Sequence, residues 1–206
     1  TPWSVSVAFL TELWLPILLA SVLVFVASSV FHMALPHHRT EVKKMPNEEQ
    51  VTDALRAAGV GAGAYMFPMP DNPKDCHTPE MQEKMKQGPS GWITLFPPGG
   101  FKFGQSLVQW FILTIVVSLF AAYIAWESLG ASNDYLRVFQ ITGAAAFLVY
   151  GVGNIHDSIW KGQPWIVTAK FTADGLVYAL LTAGIFGWLW PSIEAAASGA
   201  AGALPG

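Results

Sequence analysis

Asn154-Ile-His-Asp-Ser-Ile-Trp-Lys-Gly-Gln-Pro-Trp-Ile-Val-Thr-Ala-Lys-Phe-Thr-Ala-Asp174 runs on through Gly175-Leu-Val-Tyr-Ala-Leu-Leu-Thr-Ala-Gly-Ile-Phe-Gly-Trp-Leu-Trp-Pro191. Its opening closes one apolar segment, Gly162-Gln-Pro164 turns the chain, and the remainder forms a second apolar segment. Two such segments joined by a short polar turn read as an antiparallel hairpin of membrane helices. Gly175, Ala179, Ala183 and Gly187 recur every four residues, which places small side chains on one helix face. In lipid, such a face lets another helix approach closely, so that packing replaces the missing hydrophobic drive.

The rest of the chain agrees with a membrane reading. Of 206 residues, 52% are hydrophobic and 12% charged, against about 25% charged in soluble domains. Apolar segments occupy residues 13–33, 106–126, 136–153 (to 160 in an extended reading) and 171–190. Each approaches the roughly 20 residues that a bilayer core requires, and none alternates as a barrel strand would. The expected fold is an all-α integral membrane protein with four transmembrane helices and a small cytoplasmic α+β insert between the first two. The expected divisions are 1–33 for the N-terminus and first helix, 34–105 for the insert, 106–126, 136–160 and 166–191 for the other helices, and 192–206 for a loosely ordered low-complexity tail. Residues 1–33 lack Lys and Arg, so the basic region of a cleavable signal is missing and the first segment is expected to stay as a helix.

Lys and Arg set the threading. The insert carries eight of them and the turn between the last two helices carries Lys161 and Lys170. The opposite face has Arg137 alone. The positive-inside rule then places the insert in the cytoplasm and both termini in the periplasm. Trp14, Trp126, Trp188 and Trp190 fall at the expected outer ends, and Trp110, Trp160 and Trp165 at the inner ends, where headgroups favour indole. Trp3 falls just outside the membrane and Trp92 in the insert. Within the insert, Asn47 before Glu48-Glu49-Gln50 predicts a capped helix ending at Gly59. Thr78-Pro79, with Gly88 at the far end, predicts a second helix. Residues 65–68 and 92–97 are candidate paired strands.

Few residues suggest chemistry. A net charge of -3 argues against nucleic-acid binding. Cys76 is the single cysteine, so an internal disulfide or a multi-cysteine metal site is excluded. Cys76-His77 with Glu80 supplies too few zinc ligands. Asp174, if Thr172 caps the fourth helix, lies in the first turn, favoured by the helix dipole and paired with Lys170. As an intramembrane acid it is also a candidate ion or proton site. His32 and His156 lie at similar depth and are candidate axial haem ligands or metal ligands. His37-His38-Arg39 with Lys43 and Lys44 reads as a basic collar at the headgroups. Adjacent histidines in an extended chain would point apart and so make a poor metal site.

Leu35-Pro-His-His-Arg39, Met45-Pro-Asn-Glu-Glu49, Tyr65-Met-Phe-Pro68, and Trp160-Lys-Gly-Gln-Pro-Trp165 with Asp174-Gly-Leu-Val-Tyr178 and Thr182-Ala-Gly-Ile-Phe-Gly-Trp-Leu-Trp-Pro191 resemble a group of small bacterial polytopic inner-membrane proteins. That resemblance implies a bacterial membrane protein and carries no activity, cofactor or catalytic residue. The expected function is a non-catalytic accessory or scaffold subunit, in contact with lipid and with other membrane subunits or further copies of itself. One alternative is an oligomeric channel or transporter with Asp174, Tyr178 and Thr182 along a polar path. A second is a haem- or metal-binding electron-transfer protein using His32 and His156.

Overall fold

Among the described residues, four helical stretches are long and apolar enough to cross a membrane. The computed structural model describes residues 8–130 and 134–191. Residues 1–7 with Trp3, residues 131–133, and the low-complexity tail at 192–206 lie outside the described residues.

Helix α1 (Ala8–Glu12) leads into α2 (Trp14–Ser29), which continues as a π-helical turn, Val30–Ala34. A single 3-10 turn, Pro36–His38, follows. The insert then holds α3 (Glu48–Ala57), strand β1 (Gly63–Phe67), α4 (Pro79–Gln87) and strand β2 (Gly91–Leu95). Helix α5 (Phe103–Leu129) returns through the membrane. Helix α6 (Tyr135–Tyr150), a 3-10 turn at Val152–Asn154 and α7 (Ile155–Lys161) make the third crossing, and α8 (Trp165–Leu189) makes the fourth.

The packing is the reverse of a water-soluble bundle. Many buried positions are small or hydroxylated, Ala20, Ser21, Ser118, Ala121, Thr142 and Thr182 among them, beside a few large ones such as Leu13 and Phe186. Large apolar side chains such as Leu18, Val26, Ile112, Phe120 and Leu180 point outward. Outward leucine and phenylalanine suit lipid, and small inward residues suit helices held by close approach. Buried serine and threonine hydroxyls find partners within the bundle. Ser21 donates to the Ile17 carbonyl at 2.7 Å and lies 3.1 Å from Ser118. Thr142 donates to Val138 and Thr182 to Tyr178. Around the bundle the helices follow the order α2, α5, α6, α8, with α8 closing against α2 and most extensively paired with α6.

Small residues on α8 explain that pairing. A Cβ on Gly175 would stand 2.3 Å from the Tyr150 carbonyl oxygen, and one on Gly187 would stand 2.7 Å from the Tyr135 ring. Ala179 and Ala183 are buried on the same face, and Ala183 faces Gly143 of α6. The helix covering this face therefore belongs to the same chain. Gly175 meets α6 where that helix breaks into the 3-10 turn. There Asn154 Nδ2 donates to the Tyr150 carbonyl at 2.6 Å and holds the break.

The insert forms an antiparallel hairpin sheet, with Tyr65 opposite Ile93. Thr78 accepts a bond from the Met81 amide as a side-chain cap, and Gly88 ends α4. Asn47 precedes α3 in a left-handed conformation without a side-chain cap bond, so the expected cap there is not made. Met66, Phe67 and Trp92 face Lys161 and Gly162 across a small pocket, so the hairpin sits beside the α7–α8 turn.

Gly175→Ala forces a Cβ against backbone that cannot move independently. We expect a loss of about 1–3 kcal/mol, read as a lower thermal midpoint in detergent. Gly184→Ala meets nothing within 4 Å and is expected to leave the midpoint unchanged; equal midpoints for both variants would contradict the packing described.

Candidate metal centre

Two local devices bring distant residues together. Leu35 precedes Pro36 and is held extended (φ -83°, ψ 144°), as steric contact with the proline ring requires. The helix therefore ends there, through the π turn closed by the Leu35 amide on the Val30 carbonyl at 3.1 Å. Pro36 then starts a tight turn in which the Arg39 amide reaches the Pro36 carbonyl. The chain folds back, and the His38 ring stacks on His32 with centroids 4.3 Å apart and planes 8° from parallel. His37 and His38 are in a helical turn, not an extended strand, so their rings sit together (3.9 Å) and do not diverge. This corrects the expectation that adjacent histidines point apart.

The second device is the early start of α8. Pro164 precedes its first turn, and the Val167 and Thr168 amides bond to the Pro164 carbonyl. Asp174 is consequently well inside the helix and buried at 7% exposure, not in the first turn. Thr172 makes no helix cap; its hydroxyl reaches the Gly151 carbonyl at 3.4 Å. Lys170 does not pair with Asp174. It donates to the His37 carbonyl and lies 3.5 Å from Glu41.

Asp174 Oδ2 lies 2.6 Å from His38 Nε2, and Oδ1 lies 3.4 Å from His37 Nε2. His38 Nδ1 lies 2.6 Å from Glu41 Oε1. His32 Nδ1 lies 3.0 Å from the Ser28 carbonyl. A carbonyl only accepts, so His32 Nδ1 donates in this bond, which leaves Nε2 as its ligand nitrogen. Glu41 as a carboxylate acts the same way on His38 and leaves Nε2 turned toward Asp174. One ligand atom from each of His32, His38 and Asp174 falls within 4.8 Å of the others. Among the described residues this is the one group of three His, Cys, Asp or Glu side chains so placed. Phe171 covers the two rings, stacked 5.1 Å from His38 and 5.8 Å from His32.

His156 is elsewhere. It is exposed on α7, with Nδ1 3.7 Å from Asp157, and is not part of this group. Cys76 and His77 lie in a 3-10 turn of the insert, also outside it. Sequence alone places His32 and Asp174 at one depth but assigns His37 and His38, with Arg39, Lys43 and Lys44, to a headgroup collar, and gives Glu41 no role. The overlooked signal is Pro36, whose geometry turns a linear run of basic residues into a folded one.

Beside the group lies a cavity of about 310 Å³, walled by His32, Asp174, Trp110, Tyr150, Phe171 and Tyr178 among others. Comparison of the chain with protein-family models, with curated proteins and with solved structures returned no match.

Replacing Lys170 by Met would remove the donor from the His37 carbonyl and the cation beside Glu41. We expect about 1–2 kcal/mol of destabilisation in metal-free protein, checked by thermal denaturation in detergent; an unchanged midpoint would show that this tie does not hold the turn.

Proposed function

We propose that the protein binds a divalent transition metal at the membrane boundary through His32, His38 and Asp174. The observation carrying this reading is the shared orientation of the imidazoles. Each spends Nδ1 on an acceptor; His38 turns Nε2 to the buried carboxylate, and a ligand atom of His32 lies within 4.8 Å of those of His38 and Asp174. Metal-binding histidines are held in this way, because the second hydrogen bond fixes the tautomer and raises ligand basicity. A cation between the three groups replaces the hydrogen bond linking His38 and Asp174. Ligand atoms about 2.1 Å from a tetrahedral metal lie roughly 3.4 Å apart, so His38 and Asp174 separate slightly and His32 closes in.

Two imidazoles and one carboxylate favour zinc or ferrous iron over calcium or magnesium, which prefer all-oxygen sites. Three protein ligands leave at least one position for water or another group. That supports a metal site capable of exchange, on the same side of the bundle as the cavity. The accessory-subunit reading has less support, since the small-residue face of α8 is already covered by α6 of the same chain. The polar-path reading has less as well, because Thr182 spends its hydroxyl on the Tyr178 carbonyl.

We further propose a bacterial inner-membrane protein with periplasmic termini, on the asymmetry of Lys and Arg. This puts the metal centre on the cytoplasmic side. Cys76 is the only cysteine and tests the orientation without engineering. A membrane-impermeant maleimide should label it only after the cells are permeabilised; labelling in intact spheroplasts would reverse the threading.

Metal content of the purified full chain, followed by zinc titration of the chelator-stripped protein, tests the site. One zinc per chain is expected, with binding lost in Asp174→Ala and His38→Ala and retained in His156→Ala. Glu41→Gln should weaken affinity about 10- to 100-fold. Because zinc displaces the proton shared with His38, affinity should fall as the solution is acidified. Equal zinc binding by wild type and Asp174→Ala would refute the assignment.

A further inference from the structure

The bundle buries two phenols that nothing in it satisfies. Tyr150 and Tyr178 are 5% and 4% exposed, and neither hydroxyl has a hydrogen-bond partner. A buried hydroxyl without a partner is costly, and every other buried hydroxyl described above is bonded. The two rings meet edge to face at 5.8 Å, and Trp110 packs against both. Trp110 cannot serve the phenols, because its indole N–H is already donated to Ser28 at 2.8 Å.

All three aromatic residues wall the cavity beside the candidate metal centre. Its lining is mainly apolar and aromatic, with a few polar groups, and its volume falls within the range of small-molecule sites. Met33 and Phe103, also in the wall, are more than half exposed, so a molecule dissolved in the surrounding lipid has a way in.

We infer that this cavity receives the carbonyl-bearing end of a membrane-soluble amphiphile, held by hydrogen bonds from Tyr150 and Tyr178. The missing partners are acceptors, because a phenol in an apolar wall has a donor to place. A hydrocarbon chain alone supplies none. A flat carbonyl-bearing ring, as in a quinone headgroup, supplies acceptors and a face that stacks on the aromatic wall. A phospholipid ester supplies the same acceptor without the ring. Both hydroxyls are covered in the ligand-free protein, so the proposed binding includes a turn of the phenol rings toward the ligand. Binding requires no metal, so this inference stands apart from the proposed metal centre.

The test uses full-length, chelator-stripped protein in lipid nanodiscs. Decylubiquinone and a short-chain phosphatidylglycerol are titrated separately, with binding read by tryptophan fluorescence. Wild type is compared with the Tyr150→Phe/Tyr178→Phe double variant, which keeps both rings. Saturable binding of the quinone, weakened roughly tenfold or more in the double variant, supports the inference and identifies the ring compound as the ligand class. The same pattern with phosphatidylglycerol alone supports it with the lipid ester as the source of the carbonyl. Absence of saturation by either, or equal affinity in both proteins, overturns it. The ligand-free double variant should melt at the same temperature as wild type or above it. A clear fall would mean that the hydroxyls are bonded within the protein, and would overturn the inference as well. Because the titrated protein carries no metal, either outcome is independent of the proposed metal centre.

Discussion

A carboxylate carried inside a membrane helix must find compensation, because an unpaired charge in an apolar medium is prohibitively costly. Asp174 is that carboxylate, and the cytoplasm-facing half of the proposed topology is arranged around it. The imidazoles of His37 and His38 face its two oxygens. Glu41 holds the far side of His38, and Lys170 ties Glu41 and the His37 backbone to α8. A chain of alternating acidic and basic side chains thus runs from α8 through the turn after α2 and back to α8. Each member is oriented by the next, which is what distinguishes a prepared ligand set from acidic and basic groups that meet at a surface.

The scaffold beneath this network is held by close contact between backbones. Gly175, one residue beyond Asp174, lets α8 press against the end of α6 at the Tyr150 carbonyl. That contact sets the height of Asp174 against the turn after α2, and it places Tyr150 beside Tyr178. The candidate metal centre and the neighbouring cavity therefore adjoin the same close contact. Packing at a single glycine determines where the carboxylate, the phenols and the break in the third crossing fall relative to one another.

The spans were legible in the sequence because lipid demands long, nearly uncharged runs, and 13–33, 106–126, 136–160 and 166–191 could satisfy it in no other way. The paired strands of the insert were legible for a similar local reason, two short apolar runs bounded by turn residues. The site was only half legible. His32 and Asp174 stood out as polar residues at membrane ends, but their partners depend on two backbone events that periodicity does not report. One is the extended Leu35 before Pro36, which converts the expected collar into a folded turn. The other is the unbroken run of α8 through Thr172, which makes no cap and leaves Asp174 in the helix interior and not in a first turn. Depth alone paired His32 with His156, yet rotation about the helix axis and the fold of the turn placed His38 against it.

The account rests on the claim that two imidazoles and one carboxylate share a single cation. X-ray absorption at the zinc edge of the loaded full-length protein addresses this most directly. Two histidine nitrogens and one carboxylate oxygen at about 2.0–2.2 Å, with the imidazole scattering pattern lost in step with His32→Ala and His38→Ala, would be the predicted result. A shell containing sulfur from Cys76, or oxygen and water alone without imidazole, would contradict it.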